Sequence, residues 1–267
     1  MKKILLVLYF LFALSQSVNA MVAGINTVQY LKNACGMKTS CIYPAGDFEE
    51  VSMSIQKKYK CSQYEKPIIL MPSGVGENMP LALFISGDGG WTSFDHSICD
   101  KLVGNGIPVI GLDSQKFFWQ EKQPKEVAMK LAQEIGYYMQ LWNRKSFILI
   151  GYSFGACVVP FIAVNLPSDL KRDLKGVYCF SPDLTGDFEI HISDMMHLAN
   201  KEKYNVPEGI KKIEVQNTVC IFGNEEDNKV RNEFSKRGIR VEILPGTHHY
   251  NNAFDDIARI IVKDFYK

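Results

Sequence analysis

From residue 67 onward, short apolar runs rich in β-branched and aromatic residues alternate with longer stretches whose apolar positions recur every three or four residues. The first pattern belongs to buried strands and the second to amphipathic helices. It predicts strands at 68–71, 81–86, 107–113, 146–151, 176–181, 218–223 and 240–244, and helices at 94–103, 125–142, 154–165, 228–236 and 253–265. Strands that alternate with helices build a mainly parallel sheet covered on both faces, so the expected fold class is α/β. Gly-Glu-Asn at 76–78 reads as a hairpin turn joining the first two strands at an antiparallel edge.

Upstream of residue 67 the pattern changes. Lys2 and Lys3 precede an apolar run over 4–14, and Val18-Asn19-Ala20 comes next with short side chains, which is the layout of a signal peptide cleaved after Ala20. The run is well short of the ~20 residues that cross a bilayer as a helix. A secreted, periplasmic protein is expected, divided into a signal peptide at 1–20, an N-terminal extension or edge strands at 21–66, and a catalytic-sized domain at 67–267.

Composition narrows the function classes. Hydrophobic residues make up 46% of the chain, enough for a sizeable core, and the formal net charge of +1 offers no basic stripe for nucleic acid. Of seven cysteines, Cys35, Cys41 and Cys61 lie in the polar N-terminal part, where a disulfide would be useful, whereas Cys157, Cys179 and Cys220 sit in apolar segments as small buried hydrophobes. Neither CxxC nor HxxxH spacing occurs, so neither a metal nor another cofactor is expected.

The chemistry centres on Gly151-Tyr152-Ser153-Phe154-Gly155, set between the apolar strand 147–150 and the apolar helix after it. G-x-S-x-G in a strand–turn–helix setting is the nucleophile elbow of the α/β-hydrolase fold, with Ser153 as nucleophile. A serine needs a base, and the order Ser, acid, His directs attention to the last strand–loop units. Pro245-Gly246-Thr247-His248-His249-Tyr250 succeeds the final strand; spacing from Pro-Gly favours His249, with His248 the alternative. The acid is expected after the strand 218–223, where Glu226 and Asp227 remain equal candidates. Oxyanion donors are expected from the N–H of Phe154 and from Asp88 or Gly89 in the glycine-rich segment after the strand 81–86. Trp91 and Trp119, on loops expected near the same edge, and Asp187 and Glu189, in the region where a lid is commonly inserted, are candidate substrate contacts.

Six segments carry a resemblance: SGDGGW at 86–91, GIPVIGLDSQKFFW at 106–119, LIGYSFGACVVPF at 149–161, LPSDLK at 166–171, GDFEIH at 186–191 and PGTHHY at 245–250. Together they resemble the VirJ family of bacterial virulence proteins, including the VirJ-like C-terminal half of AcvB. The resemblance implies a periplasmic α/β-hydrolase linked in some bacteria to type IV secretion. In AcvB-like members it implies hydrolysis of aminoacylated phosphatidylglycerol, with such a phospholipid at the membrane surface and type IV secretion components as partners. Ser153 matches the family's nucleophile and the His248-His249 pair its histidine motif, while Cys157 stands where the family often has Asp. The competing expectations are a general esterase or thioesterase, and a periplasmic adaptor that keeps the fold without the chemistry.

Overall fold

A computed structural model of the chain describes residues 67–74, 78–190, 203–215 and 217–265. The expected signal peptide at 1–20 and N-terminal extension at 21–66, with Cys35, Cys41 and Cys61, and also His191 and His197, lie outside the described residues.

A seven-stranded sheet forms the centre, with β1 (Ile68–Met71), β2 (Leu81–Ile85), β3 (Val109–Leu112), β4 (Phe147–Tyr152), β5 (Leu174–Phe180), β8 (Asn217–Gly223) and β9 (Arg240–Leu244) in the order β1-β3-β2-β4-β5-β8-β9. All neighbours pair in parallel except β1 with β3. The antiparallel edge is therefore present, but its partner differs from the expected hairpin. β2 is flanked on both sides by β3 and β4, so β1 pairs with the open edge of β3, with Ile68 opposite Leu112. The carbonyl of Pro67 extends this pairing by accepting the Asp113 N–H at 2.7 Å.

Helices α1 (Ser93–Gly104), α2 (Ser114–Phe117), α3 (Pro124–Leu141), α4 (Phe154–Asn165), α5 (Ser168–Lys171), α6 (Val206–Ile210), α7 (Asn228–Lys236) and α8 (Phe254–Val262) connect the strands. The four-residue turns α2 and α5, the helix α6 and the small ribbon β6 (Thr185–Gly186) with β7 (Tyr204–Asn205) are too short to leave a periodic signal. Two cores result. Phe147 and Leu149 of β4 pack with Leu131 of α3, Val158 of α4 and Phe234 of α7, while Ile148 and Ile150 pack with Ile98 of α1 and Ile257 of α8. A strand buried on both faces has no polar side to show, which is why β4 reads as an unbroken apolar run.

Cys157, Cys179 and Cys220 are buried, as their apolar settings suggested, and Cys99 joins them on α1. Cys179 and Cys220 are register partners on neighbouring parallel strands.

Candidate active site

β4 ends at Tyr152, and the chain turns directly into α4 through Ser153, whose φ of 52° and ψ of −113° lie where L-residues are strained. Two glycines make that turn sterically feasible. A Cβ on Gly155 would lie 2.1 Å from the Ile85 carbonyl oxygen, and one on Gly151 would lie 2.2 Å from that of Gly155. Helix α4 consequently starts in contact with the carboxyl end of β2, and Gly155 N–H donates to the Ser86 carbonyl at 3.2 Å.

The segment after β2 reaches the same place. A Cβ on Gly87 would stand 3.5 Å from that of Ser153, so this loop passes directly beside the serine side chain. Gly89 N–H is engaged by the Asp88 carboxylate at 3.0 Å. Neither Asp88 N–H nor Phe154 N–H has a hydrogen-bond partner among the described residues. Of the two candidates in the glycine-rich loop, Asp88 is thus the one that offers an open donor, and it does so beside the nucleophile with Phe154 completing the pair.

The acid and base meet across the ends of β8 and β9. His248 Nδ1 lies 3.1 Å from Glu226 Oε2. Glu226 Oε1 accepts from the Ser181 hydroxyl at 2.7 Å and from Gly223 N–H at 2.5 Å. Burial raises the carboxyl pKa, but the hydrogen bonds from His248, Ser181 and Gly223 outweigh it and hold Glu226 below the usual carboxylate value. Asp227 instead caps α7, accepting the Lys229 N–H at 2.8 Å. Between the two equal candidates, the geometry gives the histidine contact to Glu226.

The histidine favoured by spacing, His249, is exposed and meets the edge of Phe94, with ring centroids 5.1 Å apart. Its neighbour His248 takes the position against Glu226 because the residue after the pair is anchored in the core. Tyr250 has a φ of 52° and is fully buried, its hydroxyl within 2.5 Å of Ser181 Oγ and 3.1 Å from the Ile221 carbonyl. That anchor, together with Gly246 at φ 103°, fixes the loop so that His248 faces the acid. Tyr152 supports the other side, donating weakly to the His248 carbonyl at 3.4 Å. Burial, reinforced by the charges of Asp95, Glu226 and Asp88, keeps its phenol protonated. Ser181, Tyr152 and Tyr250 carry no chemical motif of their own; the one usable signal is the aromatic residue directly after the histidine pair.

Among the described residues no hydrogen bond joins the Ser153 hydroxyl to a histidine. Catalytic hydrogen bonds of this kind commonly tighten only when substrate is bound. His248 keeps 40% of its side chain accessible while Glu226 keeps 17%, so the base faces the open edge and the acid is shielded behind it.

The candidate substrate contacts divide. Trp91 serves packing: its ring lies edge-on to Phe84 at 5.7 Å and covers Gly111, where a Cβ would come within 2.4 Å of it. Trp119 is 53% exposed at the tip of a strap in which Phe118 O accepts from Ile190 N–H and Lys122 N–H donates to Phe188 O. Asp187 is on the neighbouring segment but is partnered, by its own Phe188 N–H at 2.7 Å and by Lys203 at 3.9 Å. Glu189 is half-buried on the same segment. Asp88 has no ion-pair partner among the described residues. No group of three His, Cys, Asp or Glu side chains converges on a metal-binding arrangement among the described residues.

A mainly parallel sheet with an antiparallel edge, a strained serine between the central strand and its helix, and an acid–histidine pair on the later strand ends define an α/β-hydrolase fold. Residues 79–267 match the family described as "Bacterial virulence protein (VirJ)", and the chain belongs to that family. No curated relative matches it. Among solved structures it is similar to the Est1E protein of Butyrivibrio proteoclasticus, with a TM-score of 0.52 at 15% identity over 74% of this chain and 91% of that one. It is similar also to MenH of S. aureus, with a TM-score of 0.52 at 12% identity over 74% and 97% of the two chains. The esterase Pf2001 of Pyrococcus furiosus gives 0.51 at 12% identity over 84% and 97%. At such identities the likeness is one of fold.

Proposed function

We propose that the chain is a periplasmic serine ester hydrolase that cleaves the aminoacyl ester of an aminoacylated phosphatidylglycerol. The observation that carries the hydrolase reading is the convergence on Ser153: a strained backbone at φ 52° with the open N–H groups of Phe154 and Asp88 on either side. Such strain is retained where it positions a reacting group. Buried or crowded N–H groups are otherwise paired.

In this reading His248 Nε2 takes the proton of Ser153 as its Oγ attacks the ester carbonyl. The developing oxyanion is received by the Phe154 and Asp88 N–H groups. Glu226 holds the imidazole through Nδ1 and stabilises its protonated form. Collapse returns that proton to the departing glycerol oxygen, releasing phosphatidylglycerol and leaving the aminoacyl group esterified to Ser153. A water activated by His248 then releases the amino acid and regenerates the serine.

The substrate rests on the family resemblance, and one local feature supports it. Asp88 follows directly on Gly87, which passes beside the nucleophile, and its exposed carboxylate has no cationic partner among the described residues, leaving it open to the ammonium of an aminoacyl group. A link to type IV secretion and export behind the signal peptide belong to the same reading, by resemblance and by the pattern of residues 1–20.

The test combines a fluorophosphonate probe with lysyl-phosphatidylglycerol vesicles. Wild type is expected to be labelled and to release free lysine and phosphatidylglycerol, and Ser153→Ala to do neither. Labelling with turnover of aryl esters but no lysine release would make the protein a general esterase. Folded wild type that takes no label would make it an adaptor on a hydrolase fold.

A further inference from the structure

An oxyanion donor is only as good as the orientation of its peptide. The donor at Asp88 belongs to the Gly87–Asp88 peptide, which is trans, as are all the described peptide bonds. In a trans peptide the C=O and the N–H point in opposite directions. Whatever holds the Gly87 carbonyl therefore aims the Asp88 N–H.

That carbonyl is held firmly. The Ser114 hydroxyl donates to Gly87 O, Gly90 N–H donates to it at 3.1 Å, and the Ser86 hydroxyl lies 3.4 Å away. The two serines are themselves tied together: Ser114 N–H donates to Ser86 Oγ at 3.0 Å, and the two hydroxyl oxygens are also 3.0 Å apart. Both serines are fully buried, Ser86 at the end of β2 and Ser114 at the start of α2 after β3. Two neighbouring parallel strands thus deliver one hydroxyl each to the same spot.

The need for such a clamp comes from Gly87. Without a Cβ its ψ rotates freely, and a rotation there would exchange the outward N–H for an outward C=O. A carbonyl facing the developing oxyanion would repel it. A Cβ at this position would make only ordinary 3.5 Å contacts with Ser153 and Tyr152, so nothing in the packing restrains the Gly87–Asp88 peptide in place of the missing side chain.

We infer that Ser114, supported by Ser86, is a positioning residue that locks the Gly87–Asp88 peptide with its N–H toward the oxyanion. The inference rests on the serine-hydrolase reading of the site. It adds to that reading a pair of buried hydroxyls that touch neither substrate nor nucleophile and act through one backbone carbonyl.

The experiment is steady-state kinetics on an ester that wild type turns over, together with the affinity of a boronic acid that mimics the tetrahedral state. Ser114→Ala is expected to lower kcat about tenfold to a hundredfold with KM little changed, at or below the loss seen when an oxyanion donor is deleted outright. Boronate affinity is expected to fall by a similar factor, and Ser114→Thr, which keeps the hydroxyl, to recover most of both. Ser86→Ala gives a smaller effect of the same kind and serves if Ser114→Ala does not fold. Kinetics and boronate affinity within twofold of wild type in a folded variant would overturn the assignment, as would a loss of activity that only tracks a loss of folded protein. A wild type inert to both esters and fluorophosphonate would remove the hydrolase reading and this inference with it.

Discussion

His248 Nδ1 and Glu226 Oε2 are 3.1 Å apart, and the next residue, His249, turns away to meet the edge of Phe94. Two adjacent imidazoles with such different surroundings give a clean comparison. His248→Ala is expected to reduce kcat/KM by at least ~10³-fold, on the scale of losing a triad member. His249→Ala, which removes a ring without a charged partner, should stay within about threefold, as changes away from such features generally do. Ester hydrolysis by the two variants decides; the reverse ranking would move the base to His249.

The carboxyl of Glu226 is held below its ordinary value of 4.5 by its hydrogen-bond partners. A depressed folded pKa contributes stability that is present above the unfolded value and is lost as pH falls through the folded one. Thermal melts of wild type and Glu226→Gln should therefore differ most at neutral pH and converge only once the pH has fallen below the usual carboxylate range. A gap that persists unchanged into acid would mean the charge of Glu226 contributes nothing to folding.

Strain at Ser153 implies a trade between activity and stability. Glycine relieves a cost of about 1–3 kcal/mol at such a backbone angle. It returns roughly 0.5–1 kcal/mol through its freer unfolded chain. Ser153→Gly should thus be inactive yet more stable by about 1 kcal/mol, a rise in Tm of about 2–4 °C for a domain of this size. Ser153→Ala, equally inactive, keeps the strain and should melt close to wild type.

In the proposed reaction Asp88 acts through two different groups, an open backbone N–H for the oxyanion and an exposed side-chain carboxylate for the ammonium. Asp88→Asn preserves the first and neutralises the second. Hydrolysis of lysyl-phosphatidylglycerol should fall about tenfold, matching the loss of one charge-assisted hydrogen bond of ~1.5 kcal/mol. An uncharged aryl ester should be cleaved at nearly the wild-type rate. Equal losses on both substrates would show that the carboxylate does not meet the ammonium.

Burial raises the thiols of Cys99 and Cys220 well above their usual pKa, and Cys157 and Cys179 are buried with them. A maleimide added to native protein should spare all four and modify them after denaturation. Rapid native labelling of Cys157, near the elbow, would show that α4 opens in solution.

Much of this fold is legible in the sequence, because β2, β4 and β8 are buried over most of both faces and announce themselves as apolar runs. The elbow is legible for a related reason: its glycines are demanded by contacts that the strand–helix turn always makes, such as Gly155 against Ile85. The features hidden from the sequence depend on distant pieces meeting. The partner of β1 is set by which strand has an open edge, not by the turn that precedes β2. The choice of His248 over His249 is set by Tyr250 reaching Ser181 and Ile221 in the core, with residues 250–252 all at positive φ, a conformation that spacing rules do not register. Ser86 and Ser114 look like ordinary strand ends until β2 and β3 are seen side by side.

The hydrogen bond from Asp113 N–H to Pro67 O brings the edge strand to the border of the site. Asp113 directly precedes Ser114, and its carboxylate would lie 2.9 Å from a Cβ on Gly90, so the same residue borders both the serine clamp and the glycine loop. The pairing of β1 and the holding of the Gly87 carbonyl are therefore neighbouring links in one run of backbone, Asp113 serving the first and Ser114 the second.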